Sequence, residues 1–245
     1  MRVNYDICHK MSVKLQTPSC ATCGARKKSV FCSLNSEQLV DLDDQKGCDF
    51  YKAGEVIFKE GGYSKGLFCV NKGKIKLSKA GPSGKEQIIR FSSPGDVMGY
   101  NSMLSKNPLS ATATALEDAA VCFLPADKFF DLIKGEPKFS LKVLEVSAIN
   151  WNNATRLITI LAQKTVKQRI AEMLLWLKEI FGLDDNDCVD VKLSREEIAN
   201  MVGAATEAVT RLLGELKKER LIAFEGKRIK LLDIHGLLML AELTD

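Results

Sequence analysis

The chain has 245 residues, 46% hydrophobic and 27% charged, a composition that fits a globular protein of two domains plus an extension. No apolar run reaches the length of a membrane helix and the N-terminus lacks a signal peptide's apolar core, so a cytoplasmic chain without a membrane partner is expected. The net charge of +4 permits nucleic-acid binding without arguing for it, and the eight cysteines point to metal or redox chemistry rather than structural disulfides. With only His9 and His235, and no glycine loop set between a strand and a helix to cradle phosphate, catalysis is not expected.

Residues 1–34 show little periodicity but hold Cys8, His9, Cys20, Cys23 and Cys32. Cys20 and Cys23 form a C-x-x-C pair. Thiolates there suit an Fe–S cluster or zinc, and a metal-free redox pair is the third option. Arg26, Lys27 and Lys28 would lower thiol pKa values and offset the charge of bound thiolates. Asn35 and Gln38 make a capping box for a short helix over 36–42. From about residue 48 to 124 the texture is β: runs at 56–58, 67–70, 75–77, 88–91 and 120–124 alternate with glycine turns, as in a sandwich or barrel. Cys69, Cys122 and Cys188 lie in or beside such apolar stretches and also fit as small buried hydrophobes.

Pro137 opens a long helix. Leu144, Ala148, Trp151, Thr155, Ile158 and Ala162 recur at heptad spacing, a seam suited to a symmetric dimer or to packing on the chain's own domain. Residues 165–181 continue as an amphipathic helix, and 184–187 form an acidic loop.

Residues 193–222 read as a helix-turn-helix. Ser194 and Glu197 form a capping box, so a helix starts at Arg195 and Gly203 ends it. A second helix begins near Ala205 or Thr206, with Thr206 as the alternative cap and Val209, Leu212, Leu213 and Leu216 as its buried face. Its other face carries Glu207, Thr210 and Arg211. A carboxylate can accept from cytosine N4, a threonine methyl can meet a thymine methyl, and a guanidinium can grip guanine. Two short runs at 221–224 and 229–232 around a Glu225-Gly226-Lys227 turn suggest a wing, with Lys227 and Arg228 placed for phosphates.

The stretch I-A-x-x-V-G at 198–203 followed by E-x-x-T-R at 207–211 resembles the CRP/FNR superfamily of transcription regulators. So do YKAGEVIFKEGG, GLFCVNKGKIKL and GKEQIIRFSSPGDVMG, which are similar to its cyclic-nucleotide-binding β-roll. The resemblance implies an α+β chain in four parts: a cysteine-bearing extension (1–34), a β-roll sensor domain (35–135), a dimerisation helix (136–164) and a winged helix-turn-helix (165–245). It implies a homodimer on palindromic double-stranded DNA, with RNA polymerase as a further partner. Glu207, Thr210 and Arg211 match the base-reading positions, and Ala205 stands where the family usually has a capping Ser or Thr. Leu109-Ser110 stand where nucleotide binders carry Arg-Ser, and Asp96 replaces their Glu, so no cyclic AMP binding is expected. The oxygen-sensing branch holds a [4Fe–4S] cluster on three N-terminal cysteines and one in the roll. The matching positions are Cys20, Cys23, Cys32 and Cys122, with Cys8 or Cys48 as alternatives for the fourth ligand. A cluster labile to oxygen or nitric oxide is therefore one expected input; haem, zinc, a thiol switch or another small effector is the alternative.

Overall fold

A computed structural model describes residues 18–243. Cys8, named above as an alternative fourth ligand, and His9 lie outside the described residues. Two 3-10 turns, Gly24–Lys28 and Val30–Ser33, lead into α1 (Ser36–Gln45), which Asn35 and Gln38 cap reciprocally as expected. The helix runs three residues beyond the expected end because Lys46 still donates its N–H to the Leu42 carbonyl.

The β-roll follows. One sheet has the order β1 (Gly47–Tyr51), β8 (Ala119–Pro125), β3 (Gly66–Lys72), β6 (Val97–Met98). The other has β2 (Val56–Phe58), β7 (Thr112–Ala115), β4 (Ile75–Ala80), β5 (Glu86–Ser92). Side chains that point inward from both sheets meet in one apolar layer, including Val70, Met98 and Val121 against Ile75, Leu77 and Ala113. The outer face of the first sheet carries the alternate residues, Leu67 on β3 and Leu124 on β8. That face is covered by Val30 and Phe31 of the 3-10 turns, Leu39 and Leu42 of α1, Phe129 of α3 (Ala126–Gly135), and Phe139 and Val143 of α4. A short α2 (Tyr100–Ser105) sits between β6 and β7.

Helix α4 (Pro137–Gln163) starts with proline in its first turn, where no N–H is required. Leu144, Ala148, Trp151, Thr155 and Ile158 are all exposed on it, Trp151 at 70% and Ile158 at 66%. The heptad stripe thus does not pack on its own domain. Helix α5 (Val166–Phe181) begins at a Thr165–Gln168 capping box. Helices α6 (Arg195–Val202) and α7 (Thr206–Lys218), the hairpin β9 (Ile222–Glu225) and β10 (Arg228–Leu231), and α8 (Ile234–Leu240) complete the winged domain. Its core extends to Ile88 and Phe91 of β5, and Phe91 packs on Trp176 and Phe181 of α5. No helix among the described residues is long and apolar enough to cross a membrane.

Candidate nucleic-acid interface and cysteine site

The helix-turn-helix is built as its sequence demands. Ser194 accepts from the Glu197 N–H and Glu197 returns the bond to Ser194, which fixes the start of α6. Gly203 adopts φ 64, the left-handed conformation that closes α6 without a Cβ penalty. Helix α7 then buries Val209, Leu212, Leu213 and Leu216 and leaves Glu207, Thr210 and Arg211 exposed. The Thr210 hydroxyl donates to the Thr206 carbonyl at 2.8 Å, so its methyl is the group left to meet a base. Arg211 pairs with Glu215 at 2.5 Å, one turn on, with its side chain 67% exposed. Such an exposed pair is worth about 0.2–1 kcal/mol, little enough to leave the guanidinium available to another partner.

Two expectations change here. Thr206 does not cap α7: it is the first helical residue, and Ala205 is the N-cap, with no side-chain hydrogen bond. The chain reaches its extended cap conformation at Ala205 (φ −76°, ψ 145°), one residue before the nearest hydroxyl. Arg228 does not project beside Lys227 but pairs with Asp184 of the acidic loop. Glu225 and Arg228 pair across the hairpin, so only Gly226 and Lys227 form the tip, and Lys227 is exposed there. The wing is fixed to α6 by the Arg195 guanidinium, 4.3 Å from the centre of the Phe224 ring.

Besides the apolar packing of Ile88 and Phe91, the roll meets this domain through polar contacts. Lys76 lies 3.1 Å from Glu86 and 3.2 Å from Glu197, the Gln87 amide donates to the Met201 carbonyl at 2.9 Å, and Lys85 donates to the Ala204 carbonyl at 2.9 Å. Behind them, the buried Glu172 of α5 accepts from Arg156 of α4 (2.9 Å) and from Lys164, the residue that caps the end of α4 (2.5 Å).

The cysteines occupy the outer face of the first sheet. Cys122 of β8 pairs in register with Cys48 of β1 on one side and Cys69 of β3 on the other, so three thiols stand in a row. Directly paired residues share a face. The segment carrying Cys20 and Cys23 lies over this row. Lys46 reaches Cys20 Sγ at 2.8 Å and Asp43 at 2.5 Å, while Asp43 accepts the Cys20 N–H at 2.7 Å. Asn71 of β3 reaches Cys23 Sγ at 3.3 Å. Cys20, Cys23, Cys69 and Cys122 thereby line one cavity of about 40 Å³ together with Arg26, Lys46 and the apolar Phe31, Leu42, Phe123 and Leu124. That volume has room for about three water molecules. Burial pushes the Cys20 thiol up to about 11 despite Lys46, and burial also raises Cys69. Cys122 donates to Cys48 at 3.2 Å, and this bond, then burial, keeps its proton on.

Cys32 is the exception. It sits on the second 3-10 turn and does not line the cavity. Sequence reasoning grouped it with the C-x-x-C pair and left Cys69 out of the cavity, because the β3–β8 register that aligns Cys69 with Cys122 is a tertiary fact. Among the described residues, no three Cys, His, Asp or Glu side chains converge tightly enough for a single metal ion. In a site for one zinc, four sulfurs at about 2.3 Å crowd a single point; thiols spread around the walls of a cavity suit a cluster of several irons better. The Arg26 Nε is buried there without a hydrogen-bond partner, a donor suited to an anionic thiolate-bound group.

A β-roll joined by a long helix with an exposed apolar stripe to a winged helix-turn-helix defines a DNA-binding regulator. The cyclic nucleotide-binding domain family matches residues 49–136 and the Crp-like helix-turn-helix domain family matches residues 168–240. The transcriptional activator protein Anr of Pseudomonas protegens is 31% identical over 230 residues, covering 90% of this chain and 93% of that protein. The transcriptional activator protein FnrA of Stutzerimonas stutzeri is 29% identical, covering 94% and 96%. Among solved structures, TTHA1359 of Thermus thermophilus, a CRP/FNR-family regulator, is 28% identical with a TM-score of 0.68, covering 80% of this chain and 98% of that one. FixK2 of Bradyrhizobium japonicum superposes at a TM-score of 0.73 with 24% identity, covering 82% and 99%, and so shares the fold. The chain belongs to the CRP/FNR family of transcription regulators, which are not enzymes.

Proposed function

We propose that this regulator reads palindromic DNA as a homodimer and that an Fe–S cluster labile to oxygen or nitric oxide gates its output. The observation that carries the DNA-reading part is the exposure of Glu207, Thr210 and Arg211 on the outer face of a helix whose inner face is buried. Thr206 and Lys227 flank that face toward the phosphates, and Arg228 supports the wing through Asp184. Pairing of two α4 helices along Leu144, Ala148, Trp151, Thr155 and Ile158 presents two such faces to successive major grooves, about 34–36 Å apart. RNA polymerase is the partner this arrangement serves.

Cys20, Cys23 and Cys122, brought to one cavity with Arg26 and Lys46, support the second part. An Fe–S cluster held there supplies a link between the N-terminal segment and the roll that oxygen or nitric oxide can destroy. Phe31 joins this cavity to α4: it lines one wall and packs on Phe139 with ring centres 5.6 Å apart. Ordering of residues 18–33 is thereby felt at the start of the dimer helix. Cyclic AMP is not the input in this reading. Leu109 is buried and its backbone pairs with Gly61 and Gly62, so the position that would hold a phosphate offers no charge.

Arg211→Ala tests the base-reading assignment. Binding to an inverted-repeat duplex with TTGA-like half-sites is expected to weaken by about 1–3 kcal/mol and lose preference at one base position per half-site. Unchanged preference removes Arg211 from the reading role.

A further inference from the structure

We infer that the fourth thiol of the cluster site is Cys69, and that Cys32 is not a ligand; this rests on the Fe–S reading above. The β3–β8 pairing sets Cys69 directly opposite Cys122, so both thiols leave the same face of the sheet. Asn71, two residues further along β3, holds Cys23 over that strand. Cys20 is anchored by Lys46 and Asp43 at the end of α1, and the cavity between them is walled by these four cysteines. Two come from the segment and two from adjacent strands, so a cluster on this set would bridge segment to sheet.

The two rivals are placed differently. Cys48 stands on the far side of Cys122 in the row and does not reach the cavity. Cys32 follows Phe31, which lines the cavity and packs on Phe139, but Cys32 itself is not part of the lining. Cys32 is held in the Val30–Ser33 turn, which Val30 and Phe31 anchor at 1% and 6% exposure. Cys69 already lines the cavity. Charge agrees with this set: a cluster on four thiolates is anionic, and the cavity offers the unpartnered Arg26 Nε and the Lys46 ammonium.

The test uses the full-length protein, reconstituted anaerobically with ferrous iron and sulfide, as wild type, Cys69→Ala and Cys32→Ala. Iron, acid-labile sulfide and the broad absorbance near about 400 nm are measured. Wild type and Cys32→Ala are expected to match, and Cys69→Ala is expected to lose at least half of the iron and sulfide while its metal-free form unfolds with the wild-type midpoint. Full cluster content in Cys69→Ala, or loss of the cluster in a folded Cys32→Ala, overturns the assignment. Should Cys69→Ala fail to fold, Cys69→Val is measured in its place, and full cluster content in it overturns the assignment. Wild type that takes up no iron and sulfide, or only zinc, overturns the cluster reading itself and the ligand assignment with it.

Discussion

Glu172 offers a direct check on how the dimer helix is fastened to the reader. Its side chain is 4% exposed and accepts from Arg156 Nε and Nη2 (3.1 and 2.9 Å) and from Lys164 Nζ (2.5 Å). In Glu172→Ala, Lys164, only 18% exposed, keeps just the Ala241 carbonyl at 2.6 Å. Arg156, 48% exposed, can turn to water. Breaking a fully buried pair costs about 3–5 kcal/mol and an exposed one about 0.2–1 kcal/mol. One cation here falls in each regime, so a loss of about 2–3 kcal/mol is expected. Urea unfolding at a fixed protomer concentration, followed by circular dichroism, measures it. Because the carboxylate ties the end of α4 to α5, affinity for the palindromic duplex should fall while base preference stays. A loss below about 0.5 kcal/mol, the scatter of ordinary surface changes, would show that Glu172 is no clamp.

Other substitutions probe the remaining joints. Gly95 has φ 102, and an added Cβ would stand 2.7 Å from the Ala25 carbonyl oxygen; Gly95→Ala should unseat the cysteine segment, seen as faster proteolysis between residues 18 and 33, and equal cleavage rates would contradict this seat. Ala205→Ser supplies the missing cap and should stabilise the winged domain by about 0.5–2 kcal/mol, raising the thermal midpoint; an unchanged or lower midpoint refutes it. Ile158→Asp places a charge on the exposed stripe and should shift the protein to monomer in sedimentation, with loss of palindrome binding; an intact dimer would move the interface elsewhere.

Capping chemistry made much of the fold readable in the sequence. The Asn35–Gln38 and Ser194–Glu197 boxes form as the spacing demands, and Pro137 opens α4. The period of Val209, Leu212, Leu213 and Leu216 gave the buried face of α7 because one helix carries the whole pattern. Strand β7 escaped notice: its inward residues are Ala113 and Ala115, small side chains that fill a narrow gap between sheets without a hydrophobic run. Strand β6 is only two residues long, and β1 has mixed burial with no alternation. Helix α3 did carry a usable signal, Phe129, Phe130, Leu132 and Ile133 before Gly135, that went unused. At the sites the limit was distance along the chain. Lys227 and Arg228 are neighbours, yet Asp184, 44 residues upstream, captures only the second. Cys32 follows the C-x-x-C pair in sequence, whereas Cys69 reaches it only through strand pairing.

The most direct test of gating is one anaerobic titration of the palindromic duplex by fluorescence anisotropy, repeated on the same sample after brief exposure to air, with the absorbance near about 400 nm recorded in both states. Specific affinity is expected to fall together with that absorbance. An unchanged affinity after complete bleaching would contradict gating by the cluster.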